Sequence, residues 1–179
     1  MRPALFLHSG TRFGRDAARG FTHLEALVVI AFTALVGALA VSALRVYLVR
    51  AEIEESLAFA KYAQNQVTRA FQRTGTPPAD AASAGLPNND LADESSVVVE
   101  TRITDGRIDL VFGAEADPAL EGRTLALTPF ETADQKVIWI CGNRAPGVGL
   151  RPLGFAGGGP VAVQPPATIE ARYLPPACR

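Results

Sequence analysis

The side chains of this 179-residue chain that could carry chemistry are two cysteines, two histidines and scattered carboxylates. Both histidines, His8 and His23, sit near the start, so everything after His23 lacks an imidazole. That removes the commonest general base and the commonest neutral metal ligand from the body of the chain. Cys141 and Cys178 both lie late in the sequence. Without histidines nearby they make a poor zinc set, and their wide spacing is not that of a CxxC redox centre. An even count beyond a membrane favours a disulfide in an oxidising compartment, with free thiols as the competing reading. Closing a loop of this size stabilises a fold by roughly 3–4 kcal/mol in the chain-entropy model. Asp105 and Asp109 flank a turn signal and read as solvated charges rather than a catalytic pair. No nucleophile–base pairing, phosphate loop or metal cluster stands out, so the chain reads as no enzyme and no cofactor is implied.

Glu25 is the unusual carboxylate. It opens an uncharged run over residues 26–44 that ends at Arg45. A carboxylate well inside a bilayer costs about 2.5–3.5 kcal/mol on insertion scales. Placed at the interface it costs little; deeper, it needs a partner. A cut after Gly20 would create one, a free amine on Phe21 four residues before Glu25, and a neighbouring subunit could supply it equally well.

The elements that position these residues follow from composition. As a helix, the uncharged run spans roughly 28 Å, about one hydrocarbon core. Residues 1–20 hold Arg2, Arg12, Arg15 and Arg19 against Asp16, whereas the rest is acidic, with 13 basic and 17 acidic side chains. The basic flank fits the cytoplasmic side, which puts the C-terminal body across the inner membrane. The acidic body argues against nucleic acid as the main partner. Past the membrane, Val46, Val49, Ile53, Leu57, Ala60, Val67 and Phe71 recur at three- and four-residue steps, with Gln64 in the gap. That predicts an amphipathic continuation of one long helix to about Thr74, where "TGTPP" stops it. Residues 75–95 read as an exposed loop. "SVVVETRI", "RIDLVF", "RTLALTPF" and "KVIWIC" read as four strands, the first two joined by the hairpin signal "TDGR". An antiparallel sheet with one face buried against the helix follows, an α+β fold. Residues 144–168 hold too much Gly and Pro for a regular element.

"GFTHLEALVVIAFTALVGALAV" resembles the N-terminus of a type IV prepilin. The resemblance implies cleavage between Gly20 and Phe21 by a prepilin peptidase, methylation of the Phe21 amine, and an assembly role for Glu25. By this likeness, residues 1–20 are a removable leader, 21–45 the transmembrane and assembly half of the helix, and 46–74 its amphipathic half. Residues 96–179 are then the β-sheet body, with the disulfide-bounded loop 141–178 as the variable surface loop of a pilin α/β roll. "ITDGRIDLVF", "LEGRTLALTP", "VIWICG" and "ARYLPPAC" extend the resemblance over most of residues 20–179. Tyr47 and Arg50 also sit where pilin-like helices often carry those residue types. His23 and Ala26 depart from the usual larger apolar residues. Ser42 stands where a helix-kinking proline is frequent, so any melting there lacks its usual cause. The implied function is a structural subunit of a surface filament used in adhesion, twitching motility or DNA uptake. Its implied partners are other pilin subunits, the prepilin peptidase, the assembly machinery of the inner membrane, that membrane itself, and a host surface or DNA. Localisation would pass from the inner membrane, with the body in the periplasm, to the extracellular pilus. A pseudopilin of a type II secretion system shares the cleavage signature; a membrane-anchored periplasmic enzyme is the reading from another class. For DNA, Arg102, Arg107, Arg123, Arg144, Arg151, Arg172 and Arg179 would have to gather on one face.

Overall fold

The computed structural model describes residues 21–87, 97–157 and 159–179. The leader 1–20 with Gly20, residues 88–95 of the connecting segment, Ser96 and the side chain of Ser42 lie outside the described residues. Helix α1 (His23–Thr74) runs for 52 residues. Among the described residues, 21–40 and those from Val41 onward form two separate packing units.

The helix begins at Thr22, whose Oγ1 accepts a hydrogen bond from the Glu25 backbone N–H at 3.2 Å. This satisfies one of the orphan donors of the first turn. Its other end is closed by Gly75, at φ 72°, whose N–H reaches the Phe71 carbonyl at 2.8 Å. A left-handed residue is what this termination requires, and glycine adopts it without a Cβ penalty.

Strands β1 (Val98–Thr104), β2 (Arg107–Phe112), β3 (Thr124–Glu131) and β4 (Val137–Cys141) form an antiparallel sheet in sequence order. The β1–β2 turn places Asp105 at φ 49° and Gly106 at φ 82°. Two positive φ values match the right-handed strand twist, as Asp-Gly predicts. A fifth, two-residue strand, β5 (Arg151–Pro152), pairs with the end of β3 at Phe130 and Glu131. Sequence reading placed it inside an irregular segment, because two residues carry no periodicity.

Helix and sheet share one apolar core. Val49, Ile53, Ala60, Ala63 and Val67 pack with Ile103, Ile108, Leu110, Phe112, Leu125 and Leu127. The buried helical positions are Val49, Ile53, Ser56, Ala60, Ala63, Val67 and Ala70, a regular four–three alternation. This corrects the predicted stripe: Leu57, Gln64 and Phe71 are only half-buried at its margin, while Ser56, Ala63 and Ala70 occupy its centre. Small side chains there let the helix backbone approach the sheet, and larger ones fill the flanks. Ala63→Leu is accordingly expected to destabilise the body by about 1–3 kcal/mol through overpacking. Denaturation of the detergent-solubilised protein measures it; an unchanged midpoint would show that the seam has slack.

Two further expectations are corrected. The segment after the helix is not simply exposed, because Pro77, Pro78, Ala84 and Leu86 are buried. Asp80 organises it, its Oδ1 accepting from the Ser83 N–H at 2.7 Å. This hydrogen bond holds the Asp80 carboxyl below its ordinary range. Nor is the sheet buried on one face only. Strand alternation puts Asp109, Ala126, Thr128, Phe130 and Ile140 on the side away from the helix, yet all are buried. The Gly/Pro-rich tail is tied to this part of the molecule. The Leu153 N–H donates to the Pro129 carbonyl at 3.1 Å, and the Ala162 N–H to Leu153 at 3.1 Å.

Candidate functional site

Phe21 stands before the first turn of α1 and is 75% exposed. Glu25 is exposed one turn later, as the N3 residue behind Thr22. Thr22-x-x-Glu25 is a capping-box sequence, a signal present in the chain that sequence reading passed over. Only the Thr22 half of that box closes in the geometry described. Beyond it, Leu24, Leu27, Val28, Val29, Ile30, Phe32, Leu35, Val36, Val41 and Leu44 are each at least half exposed. The most apolar 18-residue window of α1 has a mean hydropathy of 2.6, and none of it is buried inside the protein. An apolar surface this continuous is incompatible with water and calls for lipid or other chains around it. Thr33 does not interrupt it, because its hydroxyl donates to the Val29 carbonyl at 2.9 Å within the same helix.

A second group of polar contacts fixes the amphipathic half of α1 to the body. Arg50 donates through Nε and Nη2 to the Arg172 carbonyl at 3.1 and 2.6 Å. Glu52 Oε1 accepts from the Asp117 N–H at 3.1 Å, and the Arg45 guanidinium lies 3.5 Å from the Asp117 carboxylate. Asp117 in turn caps its own turn, accepting from the Ala119 N–H at 2.8 Å. Burial raises the pKa of Glu52, and the nearby Asp117 and Glu55 charges add to the effect; the Asp117 N–H opposes them. A carboxyl with a raised folded pKa costs stability where it is ionised in both states. This cost is present above the folded pKa and fades as pH falls through it. Glu52→Gln is therefore expected to match or exceed the parent in stability at neutral pH, with the difference closing in acid. Melting temperatures across that range test it, and a variant less stable at neutral pH contradicts it.

Cys141 and Cys178 are joined in a disulfide with Cα atoms 4.5 Å apart. Gly142 follows at φ 56°, and a Cβ there would meet the Cys178 carbonyl at 2.7 Å. The loop is strapped further inside its ring. Gln164 donates through Nε2 to the Gly142 and Arg144 carbonyls at 2.9 and 2.8 Å. The Ala167 N–H donates to Asn143 Oδ1, and the Thr124 N–H to Thr168 Oγ1. At the loop surface Val148, Phe155 and Val163 are exposed.

The structure reassigns the charged residues of the body. Asp109 is not solvated: it is 5% exposed and held by the Arg107 guanidinium at 2.8 Å. Arg107 also donates to the Val163 carbonyl at 3.1 Å, so this pair ties β2 to the tail. Asp105 forms the β1–β2 turn. Arg102 pairs with Glu100, and Arg172 with Glu170. Arg123 donates to the Thr168 carbonyl and Arg179 to the Leu174 carbonyl. Arg151 lies over the Phe155 ring. Sequence reading missed the Glu52–Asp117 contact and the reach of Arg107 to Val163 because the partners are 65 and 56 residues apart in the chain.

Comparison with known proteins bears on this arrangement. A sequence model of the family described as Pilin (bacterial filament) matches residues 49–179. The chain is 27% identical over 126 residues to a type IV major pilin protein PilE of Neisseria gonorrhoeae, covering 70% of this chain and 74% of that one. It is 27% identical over 169 residues to the fimbrial protein EcpC of Eikenella corrodens, covering 92% and 93%. A fimbrial protein of Neisseria meningitidis serogroup B is 24% identical over 165 residues, covering 90% and 94%.

Proposed function

The chain belongs to the pilin family of bacterial filament subunits, and from that premise we propose that it is made as a prepilin and assembled through α1 into a type IV pilus. In this reading a prepilin peptidase removes residues 1–20 at Gly20–Phe21 and the new Phe21 amine is methylated. Residues 21–45 then hold the subunit in the inner membrane with its body in the periplasm. On assembly the same apolar surface leaves lipid and packs against neighbouring subunits. The observation that carries this is a membrane-length apolar stretch of α1 whose most apolar 18 residues include none buried inside the protein. A single surface serves both environments because both are free of water. In this reading the Glu25 carboxylate, exposed one turn after Phe21, pairs with the amine of an adjacent subunit. Adhesion and motility are typical work for such filaments. The relatives bear the names of major pilins and fimbrial proteins, which supports a pilus over a type II secretion filament. DNA is left out of the proposal, since carboxylates neutralise Arg102, Arg107 and Arg172.

The intact mass of the protein from processing-competent cells tests the maturation steps. It is expected to equal residues 21–179 plus one methyl group, less two hydrogens for the disulfide. A mature protein that retains residues 1–20 would remove the prepilin reading.

A further inference from the structure

One acidic group is used neither by the apolar helix nor by the disulfide loop. Glu131, the last residue of β3, is 5% exposed, and its Oε1 has no hydrogen-bond partner. Arg151 faces it in the β3–β5 register, but the Arg151 guanidinium lies over Phe155 instead. Among the described residues no ion pair includes Glu131. Burying a carboxylate without a counter-charge is strongly unfavourable, and nothing in the fold requires a carboxylate at this strand end.

Glu131 lines a cleft of about 310 Å³ together with Phe71, Gln72, Gly75, Gln135, Gly154 and Gly157. The Gln72 and Gln135 amides carry donors and acceptors alike, and the rest of the polar lining adds acceptors. The cleft lies at the C-terminal end of α1, where carbonyls outnumber available N–H groups and the helix dipole is negative. Thr76, the next N–H donor after Gly75, is turned back onto Thr74 Oγ1. From the Cβ position of Gly157, the Gly75 carbonyl oxygen is 3.5 Å away and the Gly154 carbonyl oxygen 3.7 Å. The Gly154 carbonyl already accepts from the Gly157 N–H at 3.1 Å and keeps its second lone pair, so two carbonyls and the Glu131 side chain border the cleft, which neither lysine nor arginine lines.

We propose that this cleft binds a small primary amine as its ammonium ion, with Glu131 as the counter-charge and the Gly75 and Gly154 carbonyls as acceptors. An ammonium group carries one charge and three donors, matching one carboxylate and two carbonyls. A divalent metal fits less well. It needs six to eight converging oxygens at short distance, and the described residues hold no group of three or more acidic, histidine or cysteine side chains for one. The cleft is also far larger than a bare ion needs, with room for a short alkyl chain.

Ethylammonium is the probe, titrated into the full mature chain in neutral detergent and followed by amide NMR and calorimetry. Saturable shifts at Gly75, Gly154 and Gly157 are expected, with at least tenfold weaker binding in Glu131→Gln. Tetramethylammonium, which carries the charge but has no N–H donor, is expected to bind at least tenfold more weakly. Gly157→Leu supplies a second readout that does not touch the carboxylate. Gly157 is outside the left-handed region and its Cβ would meet nothing closer than 3.5 Å, so the fold tolerates the side chain while the cleft is filled. It is expected to abolish saturable binding with an unchanged melting temperature. Absence of saturable shifts with ethylammonium would overturn the proposal. So would an equal response to tetramethylammonium, undiminished binding in either variant, or saturation by calcium alone.

Discussion

Replacing Cys141 and Cys178 together by serine is expected to lower the stability of the body by about 4 kcal/mol in the chain-entropy model. The two residues are 37 positions apart, so the crosslink restricts a large part of the unfolded chain. The folded state also depends on it. Cys178 is fully buried in the main core, and the ring it closes contains the tail segments that tie to β2, β3 and β4. Losing the crosslink is expected to loosen that tail and wet Phe130 and Ile140 on the sheet face it accompanies. Denaturant unfolding of the detergent-solubilised variant gives the magnitude, and hydrogen exchange at β3 and β4 locates the loosening. A loss below about 1 kcal/mol would show that the Gln164, Asn143 and Thr168 hydrogen bonds hold the tail without the crosslink.

Glu25→Ala is expected to leave the subunit in the membrane, cut normally, yet to reduce surface filaments at least tenfold. The carboxylate has two possible uses. It is the third residue of the first helical turn, where a negative charge favours the helix dipole by roughly 0.3–1 kcal/mol. Pairing with a neighbouring subunit's amine in an apolar filament interior is a far larger effect, because neither charge has water to fall back on. Glu25→Gln separates the two, since it keeps size and most capping geometry but loses the charge. Filament loss in both variants, with helix content unchanged, supports pairing between subunits. Normal filaments from Glu25→Gln would reduce Glu25 to a local helix-start residue.

The local features were legible because each is written in a short window. An uncharged run bounded by Glu25 and Arg45, the Gly75 stop and the Asp105–Gly106 turn need only their own neighbours, and the structure has each where the residues place it. Strand β2 was read to its final residue, since apolar residues and a turn bound it on both sides. The helical stripe was read one residue off at alternate positions. Sequence patterns favour large apolar residues such as Leu57 and Phe71, whereas a helix lying close to a sheet wants Ser56, Ala63 and Ala70 at the contact. Segment 75–87 misled for a related reason. Gly and Pro forbid regular elements, but they do not forbid burial when a neighbouring strand supplies the hydrogen bonds.

By itself the sequence determined that this chain has a membrane-length apolar helix, a helix-on-sheet body and two late cysteines suited to a disulfide. Those follow from hydropathy, periodicity and count, which are properties of residue order. Tertiary structure alone decided which partners the polar groups found. Glu52 meets Asp117, Arg50 meets the Arg172 carbonyl, Asp109 is buried against Arg107, and Glu131 is left without a partner beside an open cleft. A buried charge is stabilised or penalised by what lies within a few ångströms, and chain order does not encode that distance.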